Sequence, residues 1–192
     1  MSTKRSSLKA GYAGVLVASI AISFLLGYFV IPMLPARVIP SGTIRQTRVV
    51  TSQTLAYLTD SSTTYSAIPD MSLEITIADK SSVQAVLSSG ITIYLNETFS
   101  GITLYNIALV ITGVGNRTVA VEYISYKPIS SSIKIAESFY LDYHAGPLAA
   151  GTYLVTAYWK SLVAPTTGYT QISMTTNVYN YTRSLTVCEI SG

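Results

Sequence analysis

"GTYLVTAYW", residues 151–159, decides the fold class. Read with a period of two, Tyr153, Val155, Ala157 and Trp159 share one face. A helix would instead need apolar positions three and four apart, so this is a half-buried strand. The same period recurs along the chain. It aligns Leu73, Ile75 and Ile77 in "SLEITIAD", and Ile91, Ile93 and Leu95 in "ITIYLNET", opposite Thr92, Tyr94 and Asn96. "LYNIALVI" is apolar on both faces, the pattern of a central strand. "TVAVEYISY" follows the turn residues "GVGNR". "IKIAESFYLDYH" aligns Ile133, Ile135, Phe139, Leu141 and Tyr143, and "VYNYTRSLTVCEI" aligns Tyr179, Tyr181, Leu185 and Val187. Short strands at this spacing predict an all-β antiparallel sandwich over residues 71–192. Glu137 falls on the apolar parity of its strand and predicts an irregularity there.

Residues 35–70 read as an extended polar linker, with Thr43 to Leu58 able to form a strand that could be donated to a neighbour's sheet edge. "SGITIYL" from Ser89 and "SGITLYN" from Ser100 form one short repeat. Two copies are too few for a solenoid, and the pair is read as neighbouring strands of similar build.

Ahead of the linker, residues 10–34 carry no ionisable side chain except tyrosine. At about 1.5 Å per residue such a helix crosses a hydrocarbon core of roughly 30 Å. Residues 1–9 form a basic leader with Lys4, Arg5 and Lys9, and the next basic residue is Arg37. Held basic residues predict the N-terminus inside and the sandwich outside the cell. The run is longer than a secretory signal usually needs, and "MLPARVIPSG" offers no A-x-A-like site, which favours a retained signal-anchor helix over a cleaved signal.

The net charge is +3. Lys4, Arg5 and Lys9 supply all of it, leaving the outer part neutral and without the basic footprint of a nucleic-acid binder. Charged residues are scarce and hydroxyls abundant, a surface whose solubility does not titrate in acid. Cys188, the single cysteine, excludes an intrachain disulfide and is expected to be a small buried hydrophobe.

Two local motifs carry resemblances. Lys9-Ala10-Gly11 before the apolar run resembles the cut site of archaeal type IV pilin precursors, in which a basic leader is removed and the helix stays. The Leu148-x-x-Gly151-x-Tyr153 spacing resembles the tyrosine corner of immunoglobulin-like and fibronectin type III domains. That resemblance implies an immunoglobulin-like sandwich in which the Tyr153 hydroxyl bonds back to the preceding loop, with Trp159 in the core. The whole layout resembles pilin-like and thread-like subunits of archaeal surfaces.

Three N-x-[ST] sequons, at Asn96, Asn116 and Asn180, are predicted to be exposed and glycosylated. Asp142 and His144 share a strand face with Tyr140 and Lys134, but no G-x-S-x-G accompanies them, and Ser131 and Lys134 would point to opposite faces of a strand. Glu122, Glu137 and Asp142 are the carboxylates that folding alone could pair as in a glycosidase. One histidine and one cysteine do not make a zinc or blue-copper set, and Gly113-Val-Gly115 lacks the third glycine of a phosphate loop. No catalytic residue, metal or cofactor is expected. The chain is expected to be a non-enzymatic cell-surface structural protein, membrane-anchored through its helix or assembled into an extracellular filament, with itself or another surface protein as partner. The alternatives are a glycan- or protein-binding adhesion module using tyrosines such as Tyr94 and Tyr140, and a membrane-anchored structural protein of an archaeal virus.

Overall fold

The computed structural model describes residues 41–125, 128–174 and 182–192. The leader, the apolar run at 10–34, Tyr179, Asn180 and Tyr181 lie outside them. Among the described residues no helix is long and apolar enough to cross a membrane. Ten strands follow: β1 (Ile44–Ser52), β2 (Ala56–Thr59), β3 (Ser66–Ile77), β4 (Ser81–Leu95), β5 (Gly101–Ile111), β6 (Gly115–Ser125), β7 (Ile133–Leu148), β8 (Gly151–Val163), β9 (Thr170–Met174) and β10 (Arg183–Ile190).

Their pairing is nested. The β5–β6 hairpin is the innermost pair, closed over Thr112 to Val114 with Gly113 at φ +77°. Outside it β4 pairs with β7, then β3 with β8, then β1 with β10 and β2 with β9, all antiparallel. This long hairpin is rolled up so that β10 and β9 lie end to end along the other edge of β4, and β8 lies along β5. Two sheets result, a six-stranded one containing β1, β10, β4, β9, β2 and β7, and a four-stranded one in the order β3-β8-β5-β6. Nested pairs rolled into two facing sheets are a jelly roll.

The all-β antiparallel sandwich expected from the alternation is present. The immunoglobulin-like strand order is not, because that fold divides its strands as ABED and CFG without this nesting. Alternation reports which face is buried. It does not report which distant strand lies alongside, and the corner motif is equally at home at any β-arch between sheets.

The interior lies between the two sheets. Ile75 and Ile77 of β3, Leu87, Ile91 and Ile93 of β4, Ile107 and Leu109 of β5, Val155 and Trp159 of β8, and Leu185 and Val187 of β10 belong to one buried cluster. Each such side chain contributes about 1.5–3 kcal/mol by leaving water. β5 sits between β8 and β6, and the outward parity of "LYNIALVI" is only partly covered, with Leu104 and Val110 half-buried.

Four expectations need correction. The segment 35–70 is not a free linker from residue 44 on: β1 and β2 are paired within the chain's own sheet, and β3 has begun by Ser66. Cys188 is not in the core. It is half-exposed on the outer face, with its Sγ 3.4 Å from Thr47 Oγ1, because Leu185 and Val187 claim the inward parity. Glu137 marks no irregularity, since the β4–β7 register runs unbroken through Ile91 opposite Glu137. β7 is an edge strand, and a long carboxylate there reaches solvent. The repeat's two copies are not hydrogen-bonded neighbours either, for β4 and β5 belong to different sheets.

The copies also face opposite ways. Ile91 and Ile93 point inward from β4, whereas Ile102 is exposed on β5 and Thr103 and Tyr105 point inward instead. Those two polar groups are satisfied across the sandwich. Thr170 Oγ1 on β9 shares hydrogen bonds with Thr103 Oγ1 at 2.8 Å and with the Tyr105 hydroxyl at 2.6 Å. Burial pushes the Tyr105 phenol up to about 12, against the hydrogen bonding of Thr170 and Thr103 to that phenol.

The Tyr153 hydroxyl donates to the Ala149 carbonyl at 3.0 Å, the back-bond that the corner resemblance implies. Leu148 packs half-buried against the core, and Gly151 opens β8. Solvent reaches this bond, so Tyr153→Phe should cost only about 0.5–1.5 kcal/mol in a urea titration. An unchanged midpoint would show that water replaces the bond without loss.

Candidate functional site

The outer face of the four-stranded sheet carries a shallow hollow. β5 presents Ala108 and Val110 outward. In register beside them stand Thr118 and Asn116 on β6, and Tyr158 and Thr156 on β8. Ala108 offers only a methyl, so the larger side chains around it rise as walls. Tyr158 forms one wall. Tyr65, which immediately precedes β3 and is 43 % exposed, forms another. Lys160, one outward position along β8 from Tyr158, holds its Nζ 4.5 Å from the centroid of the Tyr65 ring. At an exposed site that cation–π contact contributes about 0.5–1 kcal/mol and fixes the ring. The hollow measures about 290 Å³ and is lined by Tyr65, Ala108, Val110, Asn116 and Tyr158.

Two phenol rings, an aliphatic floor and one amide can hold a ligand with an apolar face and a hydroxylated rim. Sequence reading overlooked this place. Tyr158 was legible as the residue facing away from Trp159, but Tyr65 was not, since it comes from a stretch without periodicity.

The described sequons differ in geometry. Asn116 is exposed at the start of β6, three residues past the turn glycine, and Thr118 stands on the same outward face. Asn96 is half-buried, and both its amide oxygen and its amide nitrogen have partners. Its Oδ1 accepts the Tyr169 N–H at 2.9 Å, and its Nδ2 donates to Thr98 Oγ1 at 2.8 Å. It locks the end of β4 to the Gly168 loop, where φ is +78° and any Cβ would collide with Asn96 Oδ1 and the Phe99 N–H.

The polar residues considered for catalysis are dispersed. Asp142 accepts a hydrogen bond from Gln84 Nε2 at 3.1 Å on the outer face of the six-stranded sheet, and His144 stands exposed two residues on. Glu122 is opposite Leu104 on the outer face of the other sheet. Glu122 and Asp142 therefore stand on the two opposite outer faces of the sandwich. Among the described residues no three His, Cys, Asp or Glu side chains converge as a metal set. Tyr140 is 65 % exposed beside Ser88, while Tyr94 packs on Tyr169 at 5.6 Å between centroids. Hydrogen bonds from Ser132 and then Tyr169 lower the Tyr94 phenol from its ordinary value. A second hollow of about 420 Å³ lies at the far end of the four-stranded sheet, where exposed Ile102, Ile124 and Val163 meet Gly101 and Thr166.

No family model matches this chain. No curated protein matches it either. Among solved structures it is similar to the Eiger TNF from S. frugiperda, at 12 % identity over 77 % of this chain and 94 % of that one, with a TM-score of 0.33. It is also similar to the VP2 subviral particle of infectious bursal disease virus, at 10 % identity over 82 % of this chain and 42 % of that one, with a TM-score of 0.31. A third is the CBM35 from Cellvibrio japonicus Abf62, at 16 % identity over 66 % of this chain and 92 % of that one, with a TM-score of 0.24. Likenesses this distant carry nothing about function.

Proposed function

We propose that this chain is a non-enzymatic structural protein of the cell surface, its sandwich displayed outside and held by the apolar run at 10–34 in the membrane or in a filament of copies. The observation that carries the reading is the uncharged run of residues 10–34 behind Lys4, Arg5 and Lys9, joined to a neutral, hydroxyl-rich domain. The resemblance to pilin-like and thread-like archaeal subunits belongs to the same proposal. Of the two assembly routes, packing of the apolar run is the simpler. Thr43 to Leu58 already pairs with β10 and β9, so donation to a neighbour would first require leaving its own sheet. Among the described residues no strand pairs with the outer edge of β1, and exposed Arg48 guards it against pairing with another copy.

Protein from native membranes tests this. Extraction should require detergent or filament disassembly, and protease added to intact cells should cut the sandwich. An N-terminus at Met1 or Ser2 identifies an anchor, one at Gly11 a pilin, and one beyond Leu34 a secreted subunit. Recovery of the intact chain from the cytosol, protected from external protease, would overturn the proposal.

A second reading, an adhesion module for glycans, is favoured by the Tyr65–Tyr158 hollow. It predicts that soluble saccharides shift the Tyr158 ring resonances, and that Tyr158→Ala abolishes the response.

A further inference from the structure

The hollow and the sequon at Asn116 occupy the same place: Asn116 is one of the five residues lining it. From this geometry we infer that Asn116 is the N-glycan acceptor among the two described sequons, and that the hollow is the seat of that glycan's first sugar, against Tyr65 and Tyr158. The inference rests on the extracellular reading above.

Accessibility selects Asn116 over Asn96. Transfer forms a bond from the asparagine Nδ2 to the anomeric carbon of a sugar carried on a polyisoprenyl phosphate or diphosphate. The carrier leaves with the bonding electrons of its anomeric C–O bond, and Nδ2 gives up one proton to a base of the transferase. The amide must therefore be free to enter another active site. Asn116 is exposed on an edge strand, beside a hairpin turn, with Thr118 on the same face. Asn96 has both amide atoms committed, to Tyr169 and Thr98, in a turn with no room around Gly168.

Size and tethering select the occupant. At about 290 Å³ the hollow falls at the bottom of the ~300–1,000 Å³ range of small-molecule pockets and is open on its outer side. A free saccharide would have to offset its full loss of translational freedom on a shelf this shallow. A sugar bonded to Asn116 has already lost most of that freedom, so a modest contact suffices to hold it. A pyranose presents axial C–H bonds on one face and hydroxyls around its rim. The rings of Tyr65 and Tyr158 with the methyls of Ala108 and Val110 match the first, and the phenol hydroxyls and solvent match the second. Lys160 holds the Tyr65 ring in position from outside the lining.

Peptide mass mapping of the full chain from its native host should find hexose-type mass on the Asn116 peptide and none on the Asn96 peptide. A bare Asn116, or a modified Asn96, overturns the choice of acceptor. Protease shaving of intact cells reports location separately, so a chain cut from outside yet bare at Asn116 fails this inference alone. For the seat, Asn116→Gln should lower the thermal midpoint of the native glycoprotein by about 2–4 °C, the size expected for one stacked ring in a chain of this length. In a Tyr158→Ala background the same change should do nothing. An equal drop in both backgrounds overturns the seat. Should Tyr158→Ala fail to fold, Tyr158→Leu serves instead, read by NMR: the sugar protons of the folded glycoprotein should be shifted upfield by ring currents and return to free-glycan positions in that variant. Unshifted protons in the wild-type glycoprotein overturn the seat as well.

Discussion

Arg183→Ala should lower the stability of the sandwich by about 3 kcal/mol or more, because a fully buried side chain and all its charged hydrogen bonds are lost at once. Arg183 opens β10 and is fully buried. Its Nη2 donates to Ser52 Oγ and to the Pro69 carbonyl, each at 3.0 Å, its Nε reaches the same carbonyl at 3.2 Å, and its Nη1 binds the Thr54 carbonyl. One side chain thus ties the end of β1, the loop into β2 and the first half of β3 to β10. The ion pair with Asp70 at 3.4 Å is the lesser part, since that carboxylate is 54 % exposed and solvent screens it. Burial lowers the guanidinium pKa and the Asp70 charge opposes this, but a group of such high ordinary pKa stays charged. With alanine there, the Thr54 and Pro69 carbonyls and the buried Ser52 hydroxyl lose bonds from a charged donor, each of which contributes about 1.5–3 kcal/mol. Urea titration should show the lower midpoint with an unchanged slope, the mark of lost stability rather than a changed denatured state. Arg183→Lys should recover little, for an ammonium cannot serve carbonyls on different strands. Asp70→Asn should cost under about 1 kcal/mol. If Asp70→Asn costs as much as Arg183→Ala, the ion pair and not the carbonyl clamp holds the three strands.

The contrast between Arg183 and Cys188 shows what the sequence made legible. In "RSLTVCEI" the inward parity of Leu185 and Val187 extends to Arg183 and Glu189, while Cys188 falls outside. A general tendency of cysteine to be buried pointed the wrong way, although the alternation two residues earlier pointed the right way. Local period outweighs residue type here, because a strand cannot turn one side chain without turning its neighbours. The repeat sets the limit of that rule. "SGIT" puts isoleucine inside on β4 and outside on β5, so identical strings take opposite faces. What decides between them is the register against β7 and β6. Pairing at that distance leaves no mark in a window of seven residues. The nested order of the jelly roll was hidden for the same reason, as was the hollow, whose lining comes from β5, β6, β8 and the approach to β3.

Glu189 closes the opposite end of β10 and should make the fold sensitive to acid. It is 4 % exposed, and its Oε1 accepts the Ala78 N–H at 2.9 Å and the Ser81 hydroxyl at 2.8 Å, while Oε2 accepts Gln46 Nε2 at 2.9 Å. Arg45 Nη1 lies 3.6 Å from Oε1. Burial is the largest single influence on this carboxyl and would raise its pKa, but the bonds from Ala78, Ser81 and Gln46, with the Arg45 charge, together outweigh it and hold the pKa below its ordinary 4.5. The unfolded chain therefore takes up the proton first as pH falls. The stabilisation is complete above the unfolded pKa and is lost as pH falls through the lower folded one, where the protonated carboxyl can no longer serve every donor. Glu189→Ala should cost about 2–4 kcal/mol at neutral pH, since the Ala78 N–H and the fully buried Ser81 hydroxyl lose their acceptor. Glu189→Gln keeps one acceptor and should lie between. Denaturation midpoints of wild type and Glu189→Gln, measured from pH 7 down to pH 2, should converge below pH 4.5 as the wild type gives up its advantage. A constant gap across that range would show that the carboxyl holds its proton equally well folded and unfolded, and that the bonds from Ala78, Ser81 and Gln46 do not favour its charged form.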